Sequence, residues 1–265
     1  MGKKRYKVII KGAGDIASGV AHRLWQSNMD VILLELPQPL VVRRSVAFAG
    51  AVYEGRVNIE GVEAKLCRDS SEVEELLGKK IIPVLIDPQG EAVVKFKPDV
   101  LIDAILAKRN TGTVLSQAPV VIGLGPGFVA GKDVHAVVET KRGHDLGRVF
   151  YSGSAAANTG VPGEIAGFAA ERVLRAPAGG KFKPIKQIGE LANKGETVAL
   201  VDDIPVAAGL SGLVRGMLYP GLEVKKGMKV GDIDPRGVEV DYLTISDKAR
   251  AVGGGVLEAI LHFNK

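Results

Sequence analysis

Short apolar runs alternate with loops rich in glycine and charge over the first two-thirds of the chain. The runs have the length and β-branched content of buried strands, and they cover residues 6–10, 31–34, 81–86, 99–106, 120–122 and 134–138. Between the first two runs, Ile16, Val20 and Leu24 recur at helical spacing, which predicts a helix from near Asp15 to near Asn28. Strand–helix–strand order of this kind predicts an α/β fold with a Rossmann-like parallel sheet.

The pattern changes after a glycine- and proline-rich segment at residues 176–180. A helix is predicted at residues 165–174, and short apolar runs separated by glycine turns follow over residues 188–230. These runs resemble a biotinyl/lipoyl-type barrel-sandwich, although the matching hairpin tip, residues 206–210, has no lysine for a carrier role. Ser246 is placed to cap a C-terminal helix. We therefore predict a Rossmann-like nucleotide- or anion-binding region over residues 1–176 and a smaller β-rich region with a C-terminal helix over residues 181–265.

Composition excludes several classes of protein. Aromatic residues make up 5% of the 265 residues, which argues against a stacking surface for nucleic acid, and the net charge of +5 is not concentrated in a long basic run. The single cysteine excludes a disulfide within the chain, and the four histidines lack metal-ligand spacing, so no metal site is expected. No apolar run reaches about 18 residues and no signal peptide is visible, so we expect a cytoplasmic protein that does not enter a membrane.

The loop after the first strand has the spacing of a dinucleotide-binding turn. It reads G-x-G-x-x-A from Gly12 and Gly14, and Glu35 follows Gly12 by 23 positions, near the distance of the acidic residue that binds a ribose hydroxyl. The predicted ligand-binding residues here are Gly12, Gly14, Asp15 and Glu35. The N-terminus of a helix attracts phosphate, although the Asp15 carboxylate at that position would compete with it. Arg43 and Arg44 follow the second strand and could grip a phosphate or carboxylate. The alternatives are a glycine turn that packs helix on strand and a pair of surface arginines.

Three further loops each follow a predicted strand. If these strands are parallel, their loops meet at one edge of the sheet and can hold one anionic ligand, with Asn158 and Thr159 as a wall. The predicted ligand-binding residues of these loops are Lys108, Arg109, Asn110, Gly123, Gly125, Gly127, Lys141 and Arg142. The alternative is three separate solvated turns.

Two residues of the last loop are candidates for catalysis. Glu139 and His144 could transfer protons if the protein catalyses a reaction, although His144 is equally compatible with a solvated loop residue. Whether the protein is an enzyme stays open on these residues alone.

Several motifs together resemble one family over nearly the whole chain. These are GAGDIASG, ELPQPLVVRRSVAF, DAILAKRNTGT, GLGPGF, ETKRGHDLGR, NTGVPGEIAG, GDIDPR and SDKARAVGGGVLEA. They are similar to the YqeB family of selenium-dependent molybdenum hydroxylase accessory proteins. The resemblance implies a role in hydroxylase maturation, with the hydroxylase or its maturation factors as partners. The cofactor is unknown, and a nucleotide or molybdopterin-type ligand fits the glycine loops.

Two other functions compete with this one. The first strand–helix–strand unit favours an NAD(P)-dependent oxidoreductase, although the chain lacks an evident Tyr-x-x-x-Lys pair. The β-rich region favours a non-enzymatic scaffold that docks a partner enzyme.

Overall fold

The chain folds into two compact units. The computed structural model describes residues 5–160 and 163–264. The first unit is made of Met1–Pro39, Ala47–Asn158 and Ile245–Lys265, and the second of Leu40–Val46 and Thr159–Thr244. These units differ from the sequence-based division in three places. The C-terminal segment belongs with the first unit, whereas residues 159–176 and the short segment 40–46 belong with the second.

The first unit contains a nine-stranded mixed sheet. Its strands are β1 (Lys7–Lys11), β2 (Asp30–Glu35), β3 (Arg56–Ile59), β4 (Val62–Leu66), β5 (Ile82–Ile86), β6 (Val100–Asp103), β7 (Val120–Leu124), β8 (Ala136–Val138) and β9 (Val149–Phe150). They lie in the order β3-β4-β5-β2-β1-β6-β7-β8-β9. The seven inner strands run parallel, and the edge strands β3 and β9 run antiparallel to their neighbours. The predicted Rossmann-like parallel sheet is confirmed.

Helices cover both faces of this sheet. They are α1 (Asp15–Gln26), α2 (Ala51–Glu54), α3 (Glu72–Gly78), α4 (Glu91–Phe96) and α5 (Asp247–His262), with 3-10 turns at Phe48–Gly50 and Leu115–Gln117. Val137 packs in a buried cluster with residues of α3 and α4. Its neighbour Val138 has its Cγ1 2.9 Å from the Cβ position of Gly255 on α5. Because successive strand residues point to opposite faces, α5 lies on the face opposite α3 and α4.

Two of the three consecutive glycines of α5, Gly253 and Gly255, have a packing reason. A Cβ at Gly253 would lie 3.1 Å from the carbonyl oxygen of Gly19 on α1, and a Cβ at Gly255 would clash with the carbonyl oxygen of Gly147. On α1, a Cβ at Gly19 would lie 2.6 Å from Cβ of Ala249. Glycine therefore lets the two helix backbones approach closely, which offsets its low helix propensity.

The second unit is β-rich. Its strands are β10 (Val173–Arg175), β11 (Gly180–Pro184), β12 (Leu191–Ala192), β13 (Thr197–Val201), β14 (Ile204–Ala207), β15 (Gly212–Met217), β16 (Glu223–Val224) and β17 (Lys229–Asp234), with 3-10 turns at Arg44–Val46 and Gly237–Glu239. They form two four-stranded sheets, β10-β17-β15-β12 and β14-β13-β11-β16, in which neighbouring strands pair antiparallel. The expected small β-rich region is confirmed.

The helix predicted at residues 165–174 is wrong. Ile165 and Phe168 instead exchange two backbone hydrogen bonds across a tight turn, and β10 begins at Val173. The central residues of that turn, Ala166 and Gly167, have φ of +48° and +81°. Positive φ at both positions is the geometry of a type I′ hairpin turn, which interrupts a helix despite the helical spacing of the apolar residues.

Candidate functional site

The carboxyl ends of the seven inner strands lie at one edge of the sheet, because these strands are parallel. From β1 the chain proceeds outward through β2 to one side, and it later returns to β6 on the other side of β1. The strand order thus reverses between β1 and β6. Open α/β sheets bind ligands at such a reversal. We call the region beyond the carboxyl ends of β1 and β6 the crevice.

The glycine loop after β1 borders this crevice. Gly12 has a φ of +94°, and a Cβ on it would lie 3.1 Å from the carbonyl oxygen of Ala104. Glu35 accepts hydrogen bonds from the backbone N–H of Ala13 at 3.0 Å and of Leu36 at 2.6 Å. The carboxylate predicted to bind a ribose hydroxyl therefore also holds the glycine loop. Gly14 is the N-cap of α1, and no side chain among the described residues caps it.

A chain of polar groups crosses the crevice from β1 to the loop after β6. Lys11, the last residue of β1, donates a hydrogen bond from Nζ to Oγ1 of Thr113 at 2.9 Å. The Thr113 hydroxyl donates to Oδ2 of Asp103 at 2.7 Å, and Oδ1 of Asp103 accepts from the N–H of Ile105 at 3.2 Å. Burial lowers the pKa of Lys11, while the charges of Asp103 and Asp87 oppose that shift. The residues 11, 103 and 113 were not among the predicted site residues.

The loop after β6 presents cations at its surface. Asn110 holds the loop in shape, since its Oδ1 accepts from the N–H groups of Gly112 and Thr113 and its Nδ2 donates to the Thr113 carbonyl. Lys108 and Arg109 are exposed, and their side chains make no hydrogen bond or ion pair with any other described residue. Asn110 thus stabilises the loop that carries Lys108 and Arg109, and the ligand-binding roles of all three residues stay predictions.

The three glycines around β7 each face another part of the protein. A Cβ at Gly123 would lie 2.5 Å from the Phe128 ring, one at Gly125 2.5 Å from Oγ1 of Thr140, and one at Gly127 2.6 Å from Cα of Arg109. The loop that follows β7 therefore contacts both the loop after β6 and the loop after β8. We predicted that these loops converge if β8 is parallel, and β8 is parallel. The ligand-binding role of the glycines stays a prediction.

Glu139 follows β8 and is 3% exposed. Its Oε1 accepts hydrogen bonds from the N–H groups of Thr140 and Lys141, both at 2.7 Å, and its Oε2 accepts from the N–H of Ala156 at 2.7 Å. Both carboxylate oxygens are therefore engaged with the backbone. This geometry stabilises the loop, and a proton-transfer role for Glu139 stays a prediction.

The remaining candidates of this loop are at the surface. His144 and Lys141 are exposed, and neither side chain has a hydrogen bond or ion pair to another residue in the described ranges. Arg142 donates two hydrogen bonds, at 2.7 and 2.6 Å, to the carboxylate of Asp247 at the start of α5. An anionic ligand would have to share or displace this ion pair.

The start of α5 brings a further cation to the first unit. Burial and the nearby Arg142 guanidinium lower the pKa of Lys248, whereas the carboxylates of Asp15, Glu139 and Asp247 oppose this shift. Sequence reasoning missed Lys248, since only the packing of α5 on α1 places residue 248 near residue 15. For Lys11, by contrast, the sequence did contain a usable signal, because this lysine immediately precedes the glycine loop.

Other predicted site residues lie in the second unit or at its border. Arg43 donates to the carbonyl of Thr244 at 3.3 Å, and the Arg44 guanidinium lies 4.5 Å from the centre of the Tyr219 ring. Both arginines and Thr159 belong to the second unit, and Asn158 to the first. Their roles in ligand binding stay predictions.

Within residues 5–160 and 163–264, no group of three or more His, Cys, Asp or Glu side chains is arranged to hold a metal ion. Among the helices described, none has the length and apolar character needed to cross a bilayer.

The fold defines an α/β protein with a Rossmann-like unit and a separate small β-rich unit, and its glycine loops and cations gather at the carboxyl edge of the parallel sheet. No protein-family model matches the chain. The chain is 52% identical over 254 residues to the uncharacterized protein YqeB of Escherichia coli strain K12, across 96% of this chain and 47% of that protein. This similarity supports the YqeB family, and the chain spans about half the length of that curated relative.

Solved structures give weaker likenesses. An aspartoacylase family protein from Mesorhizobium loti aligns over 87% of this chain and 85% of its own, with 11% identity and a TM-score of 0.28. A succinylglutamate desuccinylase/aspartoacylase from Rhodobacter sphaeroides aligns over 87% and 85%, with 15% identity and a TM-score of 0.25. From TM-scores this low we infer nothing about the fold or activity of this chain.

Proposed function

We propose that this chain is an accessory protein for the maturation of selenium-dependent molybdenum hydroxylases. It binds a nucleotide-like or molybdopterin-type anionic ligand at the carboxyl edge of the parallel sheet. The role in maturation rests on the family resemblance, and the similarity to YqeB supports the family. The ligand class rests on the site itself.

One observation carries the ligand proposal. The glycine loop after β1 and the cationic loop after β6 flank the point where the strand order reverses. Lys108 and Arg109 of the second loop are exposed and have no ion-pair partner in the described part of the chain. The backbone of this loop is also unusual, since Leu106 and Lys108 have φ of +58° and +63°. Such conformations are rare outside glycine and cluster at binding sites.

The residues present fit a phosphate-bearing ligand. The first turn of α1 offers backbone N–H groups and the positive end of a helix dipole, and Lys108 and Arg109 offer charged donors. Each well-placed charged hydrogen bond contributes about 1.5–3 kcal/mol. Lys108 and Arg109 are the first candidates, because Arg142 is already paired with Asp247.

The ligand proposal is tested by binding measurements on the whole chain. Thermal-shift and calorimetric titrations with NAD, NADP, ATP, CTP and GTP should reveal stabilisation by at least one of them. The double variant K108A/R109A should weaken that binding. K225A/K226A is the matched control, because Lys225 and Lys226 are exposed residues of the second unit and their loss changes the net charge equally. Equal binding by both double variants would contradict the proposed site.

The maturation proposal needs a cellular test. A strain that produces a selenium-dependent molybdenum hydroxylase, but lacks this protein, should accumulate inactive hydroxylase. Wild-type protein should restore activity, and K108A/R109A should restore it poorly at equal protein level. Full hydroxylase activity in the deletion strain would refute the role in maturation.

An NAD(P)-dependent oxidoreductase remains a second candidate, because Glu35 stands at the end of β2 where such enzymes bind the ribose. This candidate predicts preferential binding of NAD or NADP over CTP and GTP, and a loss of that preference in E35A.

A further inference from the structure

Lys11 begins a series of hydrogen-bonded polar side chains, Lys11–Thr113–Asp103, that packing alone does not require. Asp103 is 1% exposed and Thr113 is fully buried, and they are linked to each other and to the Lys11 ammonium by hydrogen bonds of 2.7 and 2.9 Å. Burying a carboxylate and an ammonium costs free energy, and apolar residues of similar size often stabilise such a place equally well. Buried polar groups of this kind are concentrated at functional sites.

The hydrogen-bonded set of Lys11, Thr113 and Asp103 lies at the point where the strand order of the sheet reverses. Lys11 and Asp103 are direct neighbours in the pairing of β1 with β6, and both are the last residues of their strands. The ammonium group therefore lies where the strand order reverses, the place at which open α/β sheets bind their ligands.

The ammonium of Lys11 has donor capacity to spare. An ammonium group carries three N–H donors, and a single hydrogen bond of Lys11 Nζ, that to Thr113, is found within residues 5–160 and 163–264. The stem of the side chain is also held in place, since its Cε lies 3.6 Å from the Cβ position of Gly90. A half-buried, oriented cation with two available donors suits an oxyanion.

We infer that the Lys11 ammonium binds a phosphate or similar oxyanion group of the ligand, and that Thr113 and Asp103 are positioning residues that aim it. This inference rests on the proposed function, because it concerns the same ligand site. It adds Lys11, at the end of β1, to the cations Lys108 and Arg109 of the loop after β6.

The charge of the Lys11 side chain depends on pH, so the arrangement can be tested by measuring ligand affinity at different pH values. The titratable groups that face Lys11 are Asp103, which precedes the β6 loop, and Asp87, which precedes α4. Burial lowers the pKa of Lys11, and both carboxylates raise it. Oxyanion binding requires the charged form, so affinity falls as pH rises through a pKa below the usual range of lysine. Replacing Asp103 by Asn removes one raising charge, so D103N should lose affinity at a lower pH than wild type.

The experiment is a calorimetric titration of the full chain with inorganic pyrophosphate and with ADP at fixed ionic strength. We expect K11M to weaken binding about tenfold to a hundredfold and K11R to retain most of it. K7M is the matched control, since Lys7 is at the opposite end of the same strand and pairs there with Glu74. Fluorescence of Trp25 in the same unit reports whether each variant is folded.

The outcomes separate this inference from the function on which it rests. Binding by K11M equal to that of wild type, together with weak binding by K108A/R109A, would overturn the inference and leave the proposed function standing. Absence of binding by the wild type to both probes would overturn this inference, whereas the proposed function fails only if the nucleotide titrations and the deletion strain also give negative results. If K11M does not fold, the pH profile of D103N decides, and an unshifted profile would overturn the positioning role.

Discussion

Replacing Glu139 by glutamine or alanine should destabilise the first unit, because its carboxylate holds three backbone N–H groups. These belong to Thr140, Lys141 and Ala156, and each N–H lies 2.7 Å from a carboxylate oxygen. Glutamine can keep the oxygen that serves Thr140 and Lys141. Its amide NH₂ group would then face the N–H of Ala156, donor to donor.

The structure sets the order of the effects. A buried donor left without an acceptor costs about 1–3 kcal/mol, so E139Q should lose about that amount. Alanine removes all three acceptor contacts, so E139A should lose more, about 3 kcal/mol or above, unless water reaches the loop. Glu139 is 3% exposed, so little of this cost is recovered by solvent before the loop opens.

Urea unfolding followed by the fluorescence of Trp25 measures this effect, because Trp25 is the single tryptophan and lies in the first unit. The control is E223Q, an exposed glutamate of β16 in the second unit, which should leave the transition unchanged. Hydrogen exchange of the Ala156 amide should also accelerate in E139Q. Unfolding of E139Q and E139A at the wild-type urea concentration would refute this reasoning.

Three further results are expected. G255A should destabilise the first unit, because its Cβ would clash with a neighbouring carbonyl, whereas G254A should stabilise it by up to about 1 kcal/mol in urea unfolding, since a Cβ there meets open space. R172A should lower the free energy of unfolding of the second unit, measured by calorimetry, by about 1–3 kcal/mol, because the buried Asp232 carboxylate loses its guanidinium partner at 2.7 Å while it keeps the Lys229 ammonium at 3.0 Å, and the double variant R172M/D232N should recover part of this loss. Cys67 should react slowly with a thiol reagent at pH 8, because burial raises its pKa to about 11 and the thiolate forms only at higher pH.

Local sequence patterns predicted most of the fold. The apolar runs of β1, β2, β5, β6, β7 and β8 were evident as strands, since each is short, β-branched and followed by glycine or charge. The N-terminus of α5 was evident from Ser246, whose Oγ accepts the N–H of Ala249 at 3.2 Å. These features depend on neighbours in the sequence, which is why the sequence alone was sufficient.

Local reasoning failed where the backbone conformation contradicted side-chain spacing. The apolar residues at 165–173 have helical spacing, yet Ala166 and Gly167 adopt positive φ and turn the chain back. It also failed to detect α2 and α4, which are four and six residues long and too short for a clear periodicity.

The sequence by itself determined the parallel sheet, the loops at its carboxyl edge and the residue types available there. Only the tertiary structure decided which of these residues are committed to the protein and which remain free to bind. Glu35 and Glu139 hold backbone N–H groups, Arg142 pairs with Asp247, and Lys11 joins Asp103 through Thr113. The physical reason is clearest for Lys11 with Thr113 and for Arg142 with Asp247: these pairs join residues about 100 positions apart, so they depend on strand order and helix packing, which no local pattern specifies.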